Sequence, residues 1–258
     1  KSVKPLLRSI RNFASPLINV EPSTYCLALG SAIDKKGSSY TARYITSGES
    51  KAIEVTRGAK RKKVVGYHSL STTKARPIWY VLPSLKPAHI ALPELFFTRM
   101  LNFYSKTPLL ADHLFDVVYP HKNSYNRTLW LYLNSTVYFT MLELWSPKMG
   151  GGALHPRTTE YKAIPTPDIE TLIPYLENLE FGNRETLPYD EEIRQSDKIA
   201  LDNAVLRGMG FKSEDADKML HELYESYVAM LQDRLIKAGK TVTENVDQLT
   251  EENAEGEA

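Results

Sequence analysis

Prolines at positions 77, 83, 87 and 93 cut the middle of this chain into pieces too short for long helices. A proline inside a helix removes a backbone donor and clashes with the preceding turn. The pieces IWYVL and HIALP, and before them TYCLALGSA, ARYITSG, IEVT and VVGYHSL, are strand-sized, rich in β-branched and aromatic residues, and bounded by turn formers such as Gly30 and Gly48. They predict short strands joined by turns. LFDVVYP extends the series; FFTRMLNFY suits helix or strand, and we read it as strand. The opening VKPLLRSIRNF fits either a short helix, with Pro5 in the first turn, or an extended segment.

From Ser124 the pattern changes. SYNRTLWLYLNSTVYFTMLELW is long, apolar and free of Gly and Pro, which predicts helix, with Asn134 and Ser135 placed to cap a second helical piece. IETLIPYLENL is helical with Pro174 interrupting it. DEEIRQSDKIALDNAVLRGMG has acids at its start and Gly208 and Gly210 at its end, the polarity expected of a helix. A last helix follows, with Ser213 as N-cap, Gly239 as C-cap, and Leu220, Leu223, Tyr224, Tyr227, Leu231 and Leu235 forming one apolar stripe. The tail from Thr241 is acidic and poor in apolar residues, a composition that predicts disorder.

With 258 residues, 42% of them hydrophobic, the chain can bury one substantial core or two modest ones. No apolar run approaches the roughly 18–20 residues of a membrane helix, and no signal peptide opens the chain, so a cytoplasmic protein without membrane contact is expected. The single Cys26 excludes an internal disulfide and offers no zinc site. Because the first residue is Lys1, the chain reads as a fragment of a longer polypeptide.

The formal charge of +1 hides a division. Residues 1–168 carry 23 Lys and Arg against 10 Asp and Glu, a net of +13; residues 169–258 carry 9 against 21, a net of −12. Clustered Lys and Arg neutralise phosphates and release counterions, so nucleic acid is the leading partner for the basic part. Its sharpest cluster is Lys60, Arg61, Lys62 and Lys63, close to Arg57. A charge run of this kind is also compatible with a solvated loop.

No phosphate loop, G-x-S-x-G elbow, H-E-x-x-H or strand-embedded G-x-G-x-x-G occurs. The densest acid/base grouping is His113 with Asp112 and Asp116, a pattern read as structural rather than catalytic; no catalytic and no metal-binding residues are assigned. An ordered series of motifs remains: Tyr44-Ile45-Thr46-Ser47-Gly48-Glu49, Arg76-Pro77-Ile78-Trp79-Tyr80, Leu133-Asn134-Ser135-Thr136, Gly150-Gly151-Gly152-Ala153-Leu154 and Ile164-Pro165-Thr166-Pro167. That series resembles the C-terminal target-recognition domain of TaqI-like N6-adenine DNA methyltransferases and their restriction-modification relatives. The similarity covers most of residues 1–168, and the helical part resembles the C-terminal extension of many of these enzymes.

The resemblance implies an α+β fold, a twisted mixed β-sheet with flanking helices followed by a helical C-terminal part. It implies a recognition region at 1–168, a helical region at 169–240 and the tail at 241–258. It further implies that double-stranded DNA is the partner. S-adenosylmethionine and the catalytic Asn-Pro-Pro-Tyr motif would belong to an N-terminal methyltransferase domain of the same polypeptide, since neither the cofactor's glycine motif nor Asn-Pro-Pro-Tyr occurs here. The expected phosphate contacts are Arg57, Lys60, Arg61, Lys62, Lys63 and Arg76. Lys148, His155 and Arg157, around the three glycines, are expected nearer the bases. The glycines themselves read mainly as a tight structural exit from the preceding helix, and Trp79 as a sheet anchor. The competing reading is a protein-interaction scaffold; RNA binding lacks the RNP1 or GXXG pattern.

Overall fold

The computed structural model describes residues 3–9, 13–19, 22, 24–33, 35, 39–57, 60–82 and 86–240; the acidic tail lies outside the described residues. In chain order the strands are β1 (Val3–Leu7), β2 (Leu17–Ile18), β3 (Tyr25–Leu27), β4 (Ala52–Arg57), β5 (Lys60–Val65), β6 (Ala88–Pro93), β7 (Phe103–Ala111) and β8 (Phe115–Val118). Packing divides the described chain into two units, one drawn from residues 1–6 and 22–86, the other from 7–21 and 87–240. This division by packing is distinct from the division by charge at Asp168.

In the first unit β1 and β3 pair antiparallel, Val3 opposite Leu27 and Pro5 opposite Tyr25. The opening segment is therefore extended. β4 and β5 form a separate two-stranded antiparallel ribbon. Between β3 and β4 in sequence lies the helix α1 (Tyr40–Ser50), where the composition of ARYITSG predicts a strand. The Ser39 side chain accepts from Ala42 N and starts the helix, and Ala42, Ile45 and Gly48 bury one face at three-residue spacing. That burial outweighs the β-branched composition. IWYVL is not a strand either: Ile78 O accepts from Val81 N in a turn, and a single parallel bridge joins Val81 to Leu29. A short helix α2 (Ser71–Lys74) precedes that turn.

The second unit is built on a mixed sheet. β6 lies between β7 and β8, antiparallel to both, and β2 runs parallel to β7. The register shifts between Ala88 and Ile90, a bulge that bends β6 and curls the sheet. FFTRMLNFY contributes only Phe103 and Tyr104 to β7; residues 97–102 are irregular.

The helices of this unit are α3 (Asn126–Leu133), α4 (Thr136–Trp145), α5 (Thr158–Ala163), α6 (Ile169–Leu176), α7 (Tyr189–Glu192), α8 (Ser196–Gly208) and α9 (Ser213–Lys237); α3 packs on β6 and β7, and α4, α6, α8 and α9 form a helical layer with it. The fold is thus α+β, with flanking helices and a helical C-terminal part. Asn134 closes α3 and Ser135 caps α4, its hydroxyl accepting from Tyr138 N. Asn134 Oδ1 also accepts from Asn102 N at 2.9 Å, tying the helix junction to the residue before β7. The last helix begins one residue earlier than a Ser213 cap would set it, with Lys212 in the N-cap position and Ser213 inside the helix. Gly239 follows the Ala238 C-cap with φ 69°.

The core of the second unit contains Trp130, Phe139, Tyr189 and Tyr227, with Leu231 and Leu235 from the α9 stripe. Two buried charge networks cross it. Lys198 donates to Asn134 O at 2.7 Å and lies 3.2 Å from Asp202, which also accepts from Thr136 and Tyr224. Burial pushes the Lys198 amine below the ordinary lysine range, and Asp202 opposes that shift. The other network centres on Arg234 and Glu143. Among the described residues no helix is long and apolar enough to cross a membrane.

Candidate nucleic-acid interface

The basic run occupies strand β5 rather than a loop. Its register sets Arg61 opposite Thr56, Lys62 opposite Val55 and Lys63 opposite Glu54. Successive strand side chains point to opposite faces, so Lys62 shares one face with Ile53, Val55 and Val64, while Arg61 and Lys63 share the other with Glu54 and Thr56. Arg57 and Lys60 pair at the ribbon tip; their side chains lie outside the described ones. Arg61, Lys62 and Lys63 are exposed, and none of them has an ion-pair partner among the described residues. At roughly 3.4 Å per residue the ribbon arms are about 20 Å long. A two-stranded ribbon is one of the two elements that the roughly 12 Å-wide major groove of B-DNA admits.

Arg76 lies in the same unit, exposed in the turn after α2 and at the rim of an aromatic cleft with Trp79 and Tyr80. Trp79 does not anchor a sheet. Its indole nitrogen donates to Glu49 Oε1 at 3.1 Å, and its ring packs on Tyr67 and Tyr80. Sequence reasoning missed the helix α1 as a basic and aromatic surface. Tyr40 and Tyr44 are 85% and 56% exposed, and the Arg43 guanidinium sits 4.6 Å from the Tyr40 ring centre. The signal available was the Ser39 cap followed by aromatic and basic residues on the face opposite Ala42 and Ile45.

The glycine stretch belongs to the second unit and forms the tip of a small hairpin. Lys148 bridges Leu154, Met149 N donates to Ala153 O at 2.8 Å, and Leu154 exchanges backbone bonds with Phe96. Gly151 and Gly152 have φ of 85° and 80°. A Cβ on Gly152 would lie 3.2 Å from both Ala238 and Leu235, and its carbonyl accepts from Arg234. The tip is thus held against the end of α9, which together with the positive φ angles accounts for Gly151 and Gly152 without a ligand.

The three flanking residues differ. The Lys148 amine lies 3.8 Å from the buried Glu143 carboxylate. His155 is half-buried, its Nε2 3.9 Å from Glu94 and its Nδ1 without a hydrogen-bond partner among the described residues. Arg157 is exposed and, alone of the three, has no ion-pair partner among the described residues; it stands at the start of α5, where its backbone N–H donates to Glu160 at 2.8 Å. His113 is 84% exposed beside Asp112, and Asp116 instead accepts from Thr158 at 2.7 Å, so the three do not converge.

The expected contacts therefore divide between two units, Arg57, Lys60 to Lys63 and Arg76 in the first and Lys148, His155 and Arg157 in the second. The fold resembles part of a type IIG restriction endonuclease, BpuSI. The TM-score is 0.57 at 11% identity, over 93% of this chain and 27% of that one. No protein family and no curated protein matches the chain.

Proposed function

We propose that this chain is the DNA-recognition part of a restriction-modification enzyme, reading a short duplex sequence. The observation that carries the reading is the β4–β5 ribbon, groove-sized, with Arg61, Lys62 and Lys63 exposed and without an ion-pair partner among the described residues. Their charges would neutralise phosphates along the groove walls, and a side chain on either face can reach base edges, where each base pair presents a distinct donor and acceptor pattern. Arg57 and Lys60 extend the basic run to the tip, and Arg76 adds a phosphate contact in the same unit. In the second unit Arg157 is the candidate for DNA contact, while Lys148 and His155 lean toward Glu143 and Glu94.

The similarity to BpuSI supports the restriction-modification setting, and the ordered motifs favour the finer reading of a TaqI-like adenine-N6 specificity domain. The residues present do not fit S-adenosylmethionine: the sequence has neither its glycine motif nor Asn-Pro-Pro-Tyr. Methyl transfer is therefore assigned to a separate domain of the same polypeptide. Selection from a pool of random duplexes tests the reading. One short motif should be enriched by the chain. A chain that retains no duplex at low salt, or retains all sequences equally, would contradict it and favour a protein-docking role.

A further inference from the structure

Close to the ribbon, the first unit holds a cleft whose aromatic walls groove binding leaves unused. β5 ends at Val65, Gly66 N donates to Lys51 O at 2.8 Å to close the ribbon root, and the next residue, Tyr67, walls the cleft. The cleft has a volume of about 320 Å³ and is lined by Tyr44, Tyr67, Leu70, Trp79, Tyr80 and Arg76 among others. That volume is within the roughly 300–1,000 Å³ of small-ligand sites. The Trp79 ring centre is 5.6 Å from that of Tyr67, tilted 41°, and 5.6 Å from that of Tyr80 at 90°. Gly48 makes this cluster possible: a Cβ there would be 2.8 Å from Tyr67 and 3.0 Å from Trp79.

A second cleft, of about 450 Å³, shares Arg76, Trp79 and Tyr80 with the first and adds Lys35, His68, Lys74 and Glu49. Glu49 is already engaged. It pairs with Lys35, whose hydrogen bond holds its carboxyl below the usual carboxylate range. Lys74 and Arg76 have no side-chain partner among the described residues, which leaves this cleft positive.

We propose that the two clefts together take one unstacked nucleotide of the bound DNA, the base against the aromatic walls of the first and its phosphate in the second, with Arg76 at the divide. A cationic guest, the other usual occupant of an aromatic site, is disfavoured. Cations of the chain already sit at two of these rings, Lys51 at 5.6 Å from the Tyr67 centre and Lys35 at 5.8 Å from that of Tyr80. A planar ligand carrying a negative charge meets no such repulsion. Every base has a π-face, so the site captures a base irrespective of its identity. The proposal rests on the reading of the chain as a duplex-DNA binder and deepens it.

The test uses the full chain and three duplexes of one sequence: fully paired, with a single extrahelical 2-aminopurine, and with an abasic residue in the same bulge. The 2-aminopurine bulge should bind roughly 5- to 150-fold more tightly than the abasic bulge, the range of one base stacked on aromatic side chains, with quenching of its fluorescence. Tyr44→Ala, at an exposed position that tolerates truncation, and Trp79→Phe should shrink that ratio toward one, with thermal melting showing that each variant is folded. Equal binding of the two bulges, or a ratio unchanged in both variants, would overturn the proposal while paired-duplex binding persisted. Loss of binding to all three duplexes would overturn the duplex reading together with it. Binding of the 2-aminopurine bulge without the paired duplex would support the cleft and remove the ribbon.

Discussion

Arg234 in α9 and Glu143 in α4, 91 residues apart, meet with Nε 2.9 Å from Oε1, both side chains at most 1% exposed. The same guanidinium donates to Gly152 O and, at 3.1 Å, to Phe97 O. One arginine thus joins the last helix, the helix of the aromatic core, the glycine hairpin and the loop before β7.

Removing Arg234 should be costly, because it strands a buried carboxylate and two carbonyls. Breaking one side of such a pair costs about 3–5 kcal/mol, whereas replacing both partners by apolar residues is often close to neutral. Urea denaturation is expected to show that large loss for Arg234→Met and a clearly smaller one for Arg234→Met combined with Glu143→Leu. A double variant as unstable as the single one would contradict the pairing.

Gly152 and Gly150 should respond differently to alanine. At Gly152, φ is 80° and the new methyl would press on Leu235 and Ala238 at 3.2 Å, so a loss of about 1–2 kcal/mol is expected from backbone strain alone. At Gly150 nothing lies within 4 Å and φ is not positive, so the change should be near neutral. The comparison of melting temperatures checks this directly.

Alkaline pH should unfold the second unit through its tyrosines. Burial pushes Tyr132 up to about 12 and holds Tyr161, Tyr189 and Tyr227 well above the ordinary value of 10. A raised acid keeps its proton in the folded state, so its contribution is complete below pH 10 and is lost as pH climbs through the folded values. Stability measured in urea is expected to begin falling near pH 10, with phenolate absorbance appearing together with loss of helix. Phenolate absorbance that developed in full while the helices stayed intact would contradict the burial.

Much of the second unit was legible because local signals and packing agree there. Ser135 caps α4 as its hydroxyl allowed, the Leu220 to Leu235 stripe is the buried face of α9, and HIALP enters β6. The first unit was harder. In ARYITSG the aromatic and β-branched residues favour a strand, yet the three-residue spacing of Ala42, Ile45 and Gly48 decides for helix once Tyr67 and Trp79 lie against it. The basic run was legible as charge but not as a ribbon, since Lys and Arg carry little strand preference and pairing with IEVT is what orders them. The partners of Lys148 and His155 were not legible, because Glu143 and Glu94 are brought to them only by the fold.

The salt dependence of duplex binding tests the role of the ribbon most directly. For the wild-type chain, the logarithm of the association constant should fall linearly with the logarithm of salt concentration. Replacing Arg61, Lys62 and Lys63 by Ala should flatten that slope by up to roughly 0.9 for each phosphate that is no longer neutralised, with weaker binding to all sequences. A slope unchanged by the triple substitution would remove the ribbon from the DNA and contradict the account.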